Sequence, residues 1–151
     1  MWHKVNSSPV CFEAKTNQFG RFYAPSSGKL AAIKLVHRYG YVSCHTGSTS
    51  HWSYWGCGAE PCLRGQVNVV ITTSANHVLL PSSKFITTGT KRSKIPGHNS
   101  LSPELVLSVF SQPHGVTAGQ ELRLWYGEDL VNQSEGDNGG RACCDVYAHY
   151  A

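Results

Sequence analysis

Glu121-Leu-Arg-Leu-Trp-Tyr126 places Leu122, Leu124 and Tyr126 on one side and Arg123 and Trp125 on the other. Successive side chains of a strand point to opposite faces, so this period of two predicts a strand with one face against a core. Outward from it, similar short apolar or alternating runs recur at Val10–Ala14, Arg21–Ala24, Leu30–Arg38, Tyr41–His45, Gln66–Thr72, His77–Leu80, Glu104–Ser111 and Ala142–His149. About nine strands separated by Gly, Pro, Asn and Ser clusters describe an all-β antiparallel β-sandwich, jelly-roll or galactose-binding-like. In Leu105-Val-Leu-Ser-Val-Phe110 the apolar residues are nearly continuous, which predicts a central strand covered on both faces. Gly28–Arg38 also offers a helical face through Leu30, Ile33, Lys34 and Val36, but Gly40 and the following Tyr-Val-Ser-Cys favour strand, turn, strand.

The 151 residues suit a single domain spanning 1–151 with a real core. Only 15% of residues are charged, and Gly, Ser, Thr and Asn are abundant while Met is almost absent, a composition of strands and turns. The net charge is +4, yet the basic residues are scattered, with Lys91, Arg92 and Lys94 the tightest group. Nucleic-acid binders carry a denser basic stripe, so no nucleic-acid partner is expected. No apolar stretch approaches the roughly 20 residues of a membrane helix, and no basic-then-apolar leader follows Met1, so neither membrane insertion nor a signal peptide in this chain is expected.

Six cysteines, Cys11, Cys44, Cys57, Cys62, Cys143 and Cys144, permit disulfides. Cys57 and Cys62 bracket a Gly-Ala-Glu-Pro turn and form the first expected bridge, while adjacent Cys143 and Cys144 point to opposite faces of a strand. Asn6-Ser-Ser and Asn132-Gln-Ser are glycosylation sequons. Together these features favour a secreted, extracellular protein.

The chemistry concentrates after Tyr126. The run Tyr-Gly-Glu-Asp-Leu-Val-Asn-Gln-Ser-Glu-Gly-Asp-Asn-Gly-Gly-Arg-Ala-Cys-Cys-Asp gathers Glu128, Asp129, Glu135, Asp137 and Asp145, five of the nine acidic residues. Crowded carboxylates repel one another, and either solvent or a hard divalent ion relieves them. Neutral oxygens from Asn132, Gln133, Ser134 and Asn138, and carbonyls beside Gly136, Gly139 and Gly140, complete the oxygen-rich set that calcium takes. The order does not match an EF-hand, and Asp-Asn-Gly-Gly alone is also ordinary turn chemistry.

From Leu122 to Ala148, Leu-Arg-Leu-Trp-Tyr-Gly-Glu-Asp, a short insert, Asp-Asn-Gly-Gly and a closing strand resemble the calcium loop of the galactophilic bacterial lectins of the LecA type. The resemblance covers about a fifth of the chain; the rest resembles secreted proteins of corals and sea anemones, which assigns no function. In the LecA-type lectins one calcium ion bridges protein oxygens to two sugar hydroxyls. The resemblance places their early Asp on Glu128 or Asp129, their mid-loop residue near Asn132, Gln133 or Ser134, and their terminal Asn pair on Asp137 and Asn138. It implies a metal set of Glu128, Asp129, Asn132, Asp137 and Asn138, with Asp129, Asp137 and Asn138 also meeting the sugar.

A second loop, between Cys44 and Cys62, carries His51-Trp-Ser-Tyr-Trp55. Sugar rings present apolar faces that stack on aromatic side chains and hydroxyls that suit imidazole, so His51, Trp52 and Trp55 are sugar-binding candidates. A histidine-bearing loop lines the site of the resembled lectins, which singles out His51. Each Trp equally fits a role capping the end of the core. Cys44, His45, His51, Cys57 and Cys62 also permit zinc, though their spacing matches no zinc ribbon. No nucleophile elbow, zincin helix, phosphate loop or dinucleotide fingerprint occurs, and neighbouring Glu128 and Asp129 are poorly spaced for a glycosidase pair, so no enzyme is expected. The expected function is calcium-dependent carbohydrate binding to galactose-type glycans or glycoproteins, with oligomerisation a natural aid to weak single sites. The alternative is a secreted structural or matrix domain whose calcium only rigidifies the loop.

Overall fold

The computed structural model describes all residues of 1–151 except Pro61 and Ser134. The described residues form an antiparallel sandwich of eleven strands in two sheets. The larger sheet contains β1 (His3–Lys4), β2 (Val10–Glu13), β4 (Gly28–Ser43), β5 (Trp52–Ser53), β8 (Glu104–Ser108), β9 (His114–Val116) and β11 (Gly139–Tyr150). The smaller runs in the order β3 (Gly20–Tyr23), β10 (Glu121–Tyr126), β6 (Val69–Thr73) and β7 (Val78–Leu80).

The larger sheet is organised about the β4–β11 pair, which runs from Gly139 opposite Ser43 to Tyr150 opposite Leu30 with register shifts at Cys143/Cys144 and His149/Tyr150. β11 takes β1 and β2 on its other edge, and β4 takes β5, β8 and β9 on its own. The expected break at Gly40 is absent: Leu30–Arg38 and Tyr41–Ser43 belong to one continuous strand, which ends before Cys44 and His45. Gly40 adopts φ +83° beside Ala142, where a side chain's first carbon would collide with the carbonyl oxygen of Arg141. The glycine therefore marks a close backbone approach inside a strand and not a turn. Two residues earlier the register steps from Cys144–His37 to Cys143–Tyr39, so Arg38 is the extra residue of a bulge. The bulge turns Arg38 toward Asp145, which accepts bonds from Arg38 Nη1 at 3.0 Å and Asn6 Nδ2 at 2.9 Å, with Lys4 Nζ at 3.7 Å. Asn6 and these two cations hold the Asp145 carboxyl below its ordinary range. Both Asn6 amide protons are used, on Asp145 Oδ1 and Ser8 O, so a glycan there would displace one of these bonds.

Between the sheets Ile33, Leu35, Leu107 and Val146 meet Ile71, Leu122 and Leu124, all fully or almost fully buried. The alternation expected of β10 is present, and Trp125 on the outer face is buried too, under Phe19 at 5.0 Å, with its Nε1 donating to Asn76 Oδ1. β8 differs from expectation: it pairs with β4 alone, so it lies at an edge, with Leu105 and Leu107 inward. The apolar run reads as continuous because Val109 packs back on the core after the strand ends and Phe110 emerges into solvent.

The disulfides join Cys11 to Cys143 and Cys44 to Cys57. The expected Cys57–Cys62 bridge does not form. Cys57 is buried behind the end of β4, whereas Cys62 is exposed on a turn closed by bonds from Leu63 N and Arg64 N to Ala59 O. Cys143 and Cys144 do diverge: one is bridged, and the other is a buried thiol whose pKa burial pushes up.

Gly40→Ala should lower stability by several kcal/mol, since it meets both a left-handed φ and a backbone oxygen. Gly119 has φ +82° with open space around it, so Gly119→Ala should cost only about 1 kcal/mol. Equal losses in thermal melts of the two variants would show that close approach at Gly40 is not the constraint.

Candidate functional site

β10 delivers the acidic loop. After Tyr126 the chain makes one helical turn, α1 (Gly127–Val131), and leaves it through Asn132 in the left-handed conformation at φ 55°. Asn68 fixes this turn from the neighbouring loop: its carbonyl accepts from Gly127 N at 2.7 Å, its Oδ1 accepts from Glu128 N at 3.2 Å, and its Nδ2 donates to Thr90 O. The turn rolls Glu128 and Asp129 inward, where they are 3% and 0% exposed.

Their partners divide the loop. Glu128 Oε2 accepts from Arg92 Nη2 at 3.1 Å and Oε1 from Asn138 Nδ2 at 3.0 Å. Burial raises the Glu128 pKa, while Asn138 and Arg92 work to lower it. Asp129 Oδ1 accepts from Asn17 N at 3.0 Å. The turn that presents Asn17 holds Thr16 at φ 69° and Asn17 at φ 58°, a costly conformation for a β-branched residue.

Asp129 Oδ2, Glu135 Oε2 and Asn138 Oδ1 are buried without a hydrogen-bond partner; among the described residues only Ser93 Oγ shares that condition. All three are acceptors. The orientation of the Asn138 amide is dictated by chemistry, because its Nδ2 donates to Glu128 Oε1 and Ala14 O, both acceptor oxygens, leaving Oδ1 on the other side. The Glu135 pKa is raised by burial and by the adjacent carboxylate of Asp129, with a further contribution from Glu128. An orphaned buried acceptor costs about 1–3 kcal/mol. Two carboxylate oxygens and one amide oxygen have the donor chemistry of a hard divalent cation such as calcium; without one, a proton shared between Glu135 and Asp129 relieves the carboxylates.

The sequence candidates thus separate. Glu128, Asp129 and Asn138 come together inside the loop, and Glu135, outside the expected metal set, joins them. Asp137 and Asn132 are exposed. The Asp137 carboxylate lies 3.4 Å from His45 Nδ1, and its carbonyl accepts from Thr46 N at 2.9 Å. Ser134 lies outside the described residues. Asn17 and Arg92 arrive from distant segments, and only their positions in the fold associate them with the loop.

The aromatic loop docks on the same end. Beyond the Thr46–Asp137 bond, Trp52 lies against Gly140, where a side chain's first carbon would meet the indole at 2.5 Å. The His45 and His51 rings lie 5.4 Å apart. His51 and Trp52 are half-buried on this flank, whereas Trp55 is 0% exposed and its Nε1 donates to Ser102 O at 2.7 Å, so it belongs to the core and offers no face to a ligand. Cys44, His51 and Cys57 have ligand atoms within 4.8 Å of one another, but the disulfide occupies both sulfurs and leaves no thiolate for zinc.

The raised pKa values mean that the folded, cation-free protein holds protons on Glu128 and Glu135 more tightly than the unfolded chain does. Their contribution to stability is fully present below the ordinary value of 4.5 and is lost as pH rises through the raised values. In EDTA, Glu135→Gln should melt above the wild type at pH 7 and level with it near pH 4.5; parallel melting-temperature curves would remove Glu135 from the strained cluster.

No protein-family model matches the chain, and no curated protein matches it. Among solved structures, it is similar to AJLec from the sea anemone Anthopleura japonica, a lectin by its name, with 35% sequence identity and a TM-score of 0.89. The alignment covers 100% of this chain and 98% of that one. This relationship lies with an anemone lectin and not specifically with the LecA type. At that identity along the whole of both chains, the two belong to one family.

Proposed function

We propose that this chain, as a member of the AJLec family, binds glycans through a calcium ion held in the acidic loop. The observation that carries the reading is the trio of orphaned buried acceptors, Asp129 Oδ2, Glu135 Oε2 and Asn138 Oδ1. Calcium takes six to eight oxygens, so three protein atoms leave positions that sugar hydroxyls can fill. When bound, the ion supplies a fixed positive charge that polarises and orients two vicinal hydroxyls.

The chain's own residues would do the rest. Asn17 N and Asn138 Nδ2 orient the acidic oxygens, and Arg92 neutralises Glu128 so that the ion need not balance every buried charge. His51 and Trp52 would offer a polar edge and an apolar face to the sugar. A galactose-type ligand follows from the loop's likeness to the LecA-type pattern. The protein would bind its ligand unchanged, outside the cell, and a single shallow site would gain avidity from oligomerisation.

A second reading is supported by the depth of Asp129 and Asn138, 0% and 1% exposed: calcium could serve only to hold the loop. At calcium 100-fold above its Kd, either reading predicts stabilisation by about 2.7 kcal/mol, removed by EDTA and by Asp129→Asn with Glu135→Gln. Retention on immobilised galactose in calcium, lost on chelation and weakened by His51→Ala, supports the lectin reading. Calcium stabilisation with no glycan retained would leave only the structural ion, and no calcium response in either assay would overturn both.

A further inference from the structure

β7, the following loop and the β8–β9 connection enclose an open cavity of about 360 Å³, whose Lys91 wall backs onto Gly127 at the start of the acidic loop. Its floor is apolar: Leu79 and Val109 pack on the core, and Phe110, 65% exposed, stands at the wall with its ring 6.4 Å from that of Phe85. Val78, Pro81 and Ile86 extend the apolar part, and the polar part of the lining carries no carboxylate: it comprises Lys84, Lys91, His114, Ser82, Ser83, Ser111 and Gln112.

The charge there is unbalanced. Between residues 79 and 116 the sequence carries Lys84, Lys91, Arg92 and Lys94 against Glu104 alone. Arg92 is committed to Glu128, and Glu104 lies 3.8 Å from Lys34. Lys84 and Lys91 pair with no carboxylate among the described residues. Lys84 Nζ lies 5.9 Å from the Phe110 ring centroid, and Lys91 is held at φ 68° on the cavity wall.

We infer that this cavity is a second glycan subsite, selective for a sulfated sugar and independent of the calcium loop. Two unpaired ammonium groups supply charge complementarity to a sulfate, whose oxygens accept from Lys84 and Lys91. The exposed ring of Phe110 gives an apolar face for a pyranose, and the hydroxyl and amide side chains match its hydroxyls. An acyl chain would leave both ammonium groups without a counter-charge, and nucleic acid would find two lysines where it needs a stripe.

The test titrates a heparin-derived tetrasaccharide into the full chain in EDTA, where the acidic loop cannot contribute an ion. Binding is expected there, and it should persist in Asp129→Asn, which separates this subsite from the calcium reading. Lys84→Gln with Lys91→Gln should weaken binding about tenfold, the equivalent of 1.4 kcal/mol from two exposed ion contacts, while the charge-matched pair Lys94→Gln with Arg141→Gln changes it little. Phe110→Ala, on an exposed side chain that the fold does not need, should weaken binding without altering charge, with an unchanged melting curve as the check. No binding in EDTA, or equal losses from the two charge-matched pairs, would overturn the subsite. Capture by phosphatidylserine vesicles, lost in the same variants and without saccharide binding, would reassign the patch to an anionic membrane.

Discussion

The pairing of β4 with β11 is the constraint from which the rest of the molecule follows. Register in a sheet is set residue by residue, and a slip of one would turn every buried side chain of a strand to the wrong face. Here the register places Gly139 opposite Ser43, so the chain entering β11 from the acidic loop meets the chain leaving β4 for the histidine and tryptophan loop. Two segments nearly a hundred residues apart become neighbours because one backbone ladder has only one way to align. The bulge at Arg38 shifts that ladder by one residue, and the close approach at Gly40 keeps the two backbones paired beyond it.

The same pair explains where the disulfides fall. Cys11–Cys143 fastens β2 to β11 near the entry of the acidic loop, and Cys44–Cys57 fastens the exit of β4 to the second loop. Both bridges therefore restrain the end of the sandwich where the orphaned oxygens lie. The second sheet carries none, and relies on burial of residues such as Ile71, Leu122 and Leu124. Restraint is concentrated where like charges would otherwise push the loop open.

Much of the fold was legible because β-sheet patterning is local. Leu122, Leu124 and Tyr126 announced their shared face in six residues, and the acidic loop announced itself by density of charge. What escaped was non-local. Gly40 looks like a turn until its partner strand is known, and the run at Leu105–Phe110 looks central until the chain is seen to leave the sheet after Ser108. Within the loop, composition could not rank the carboxylates: Asp137 and Glu135 are equivalent in sequence, but the fold half-buries Glu135 beside Asp129 and leaves Asp137 exposed beside His45. Arg92 and Asn17 had no sequence signal at all, since a salt bridge or a backbone N–H cap from a distant segment is visible only once the topology is known. Trp55 differs from Trp52 by three residues and a change of side, and only burial separates core from surface.

The direction of β11 carries a further consequence. It leaves the acidic loop at Gly139 and ends at Tyr150, roughly 35–40 Å away at the usual rise of a strand. β1 pairs beside that far end, His3 against Ala148, so residues 1 and 151 emerge side by side on the opposite pole of the sandwich from the loop. A tether fused at either terminus would hold the domain by its base and leave the loop pole facing outward, and joining the two ends would permit circular permutation without crossing the site.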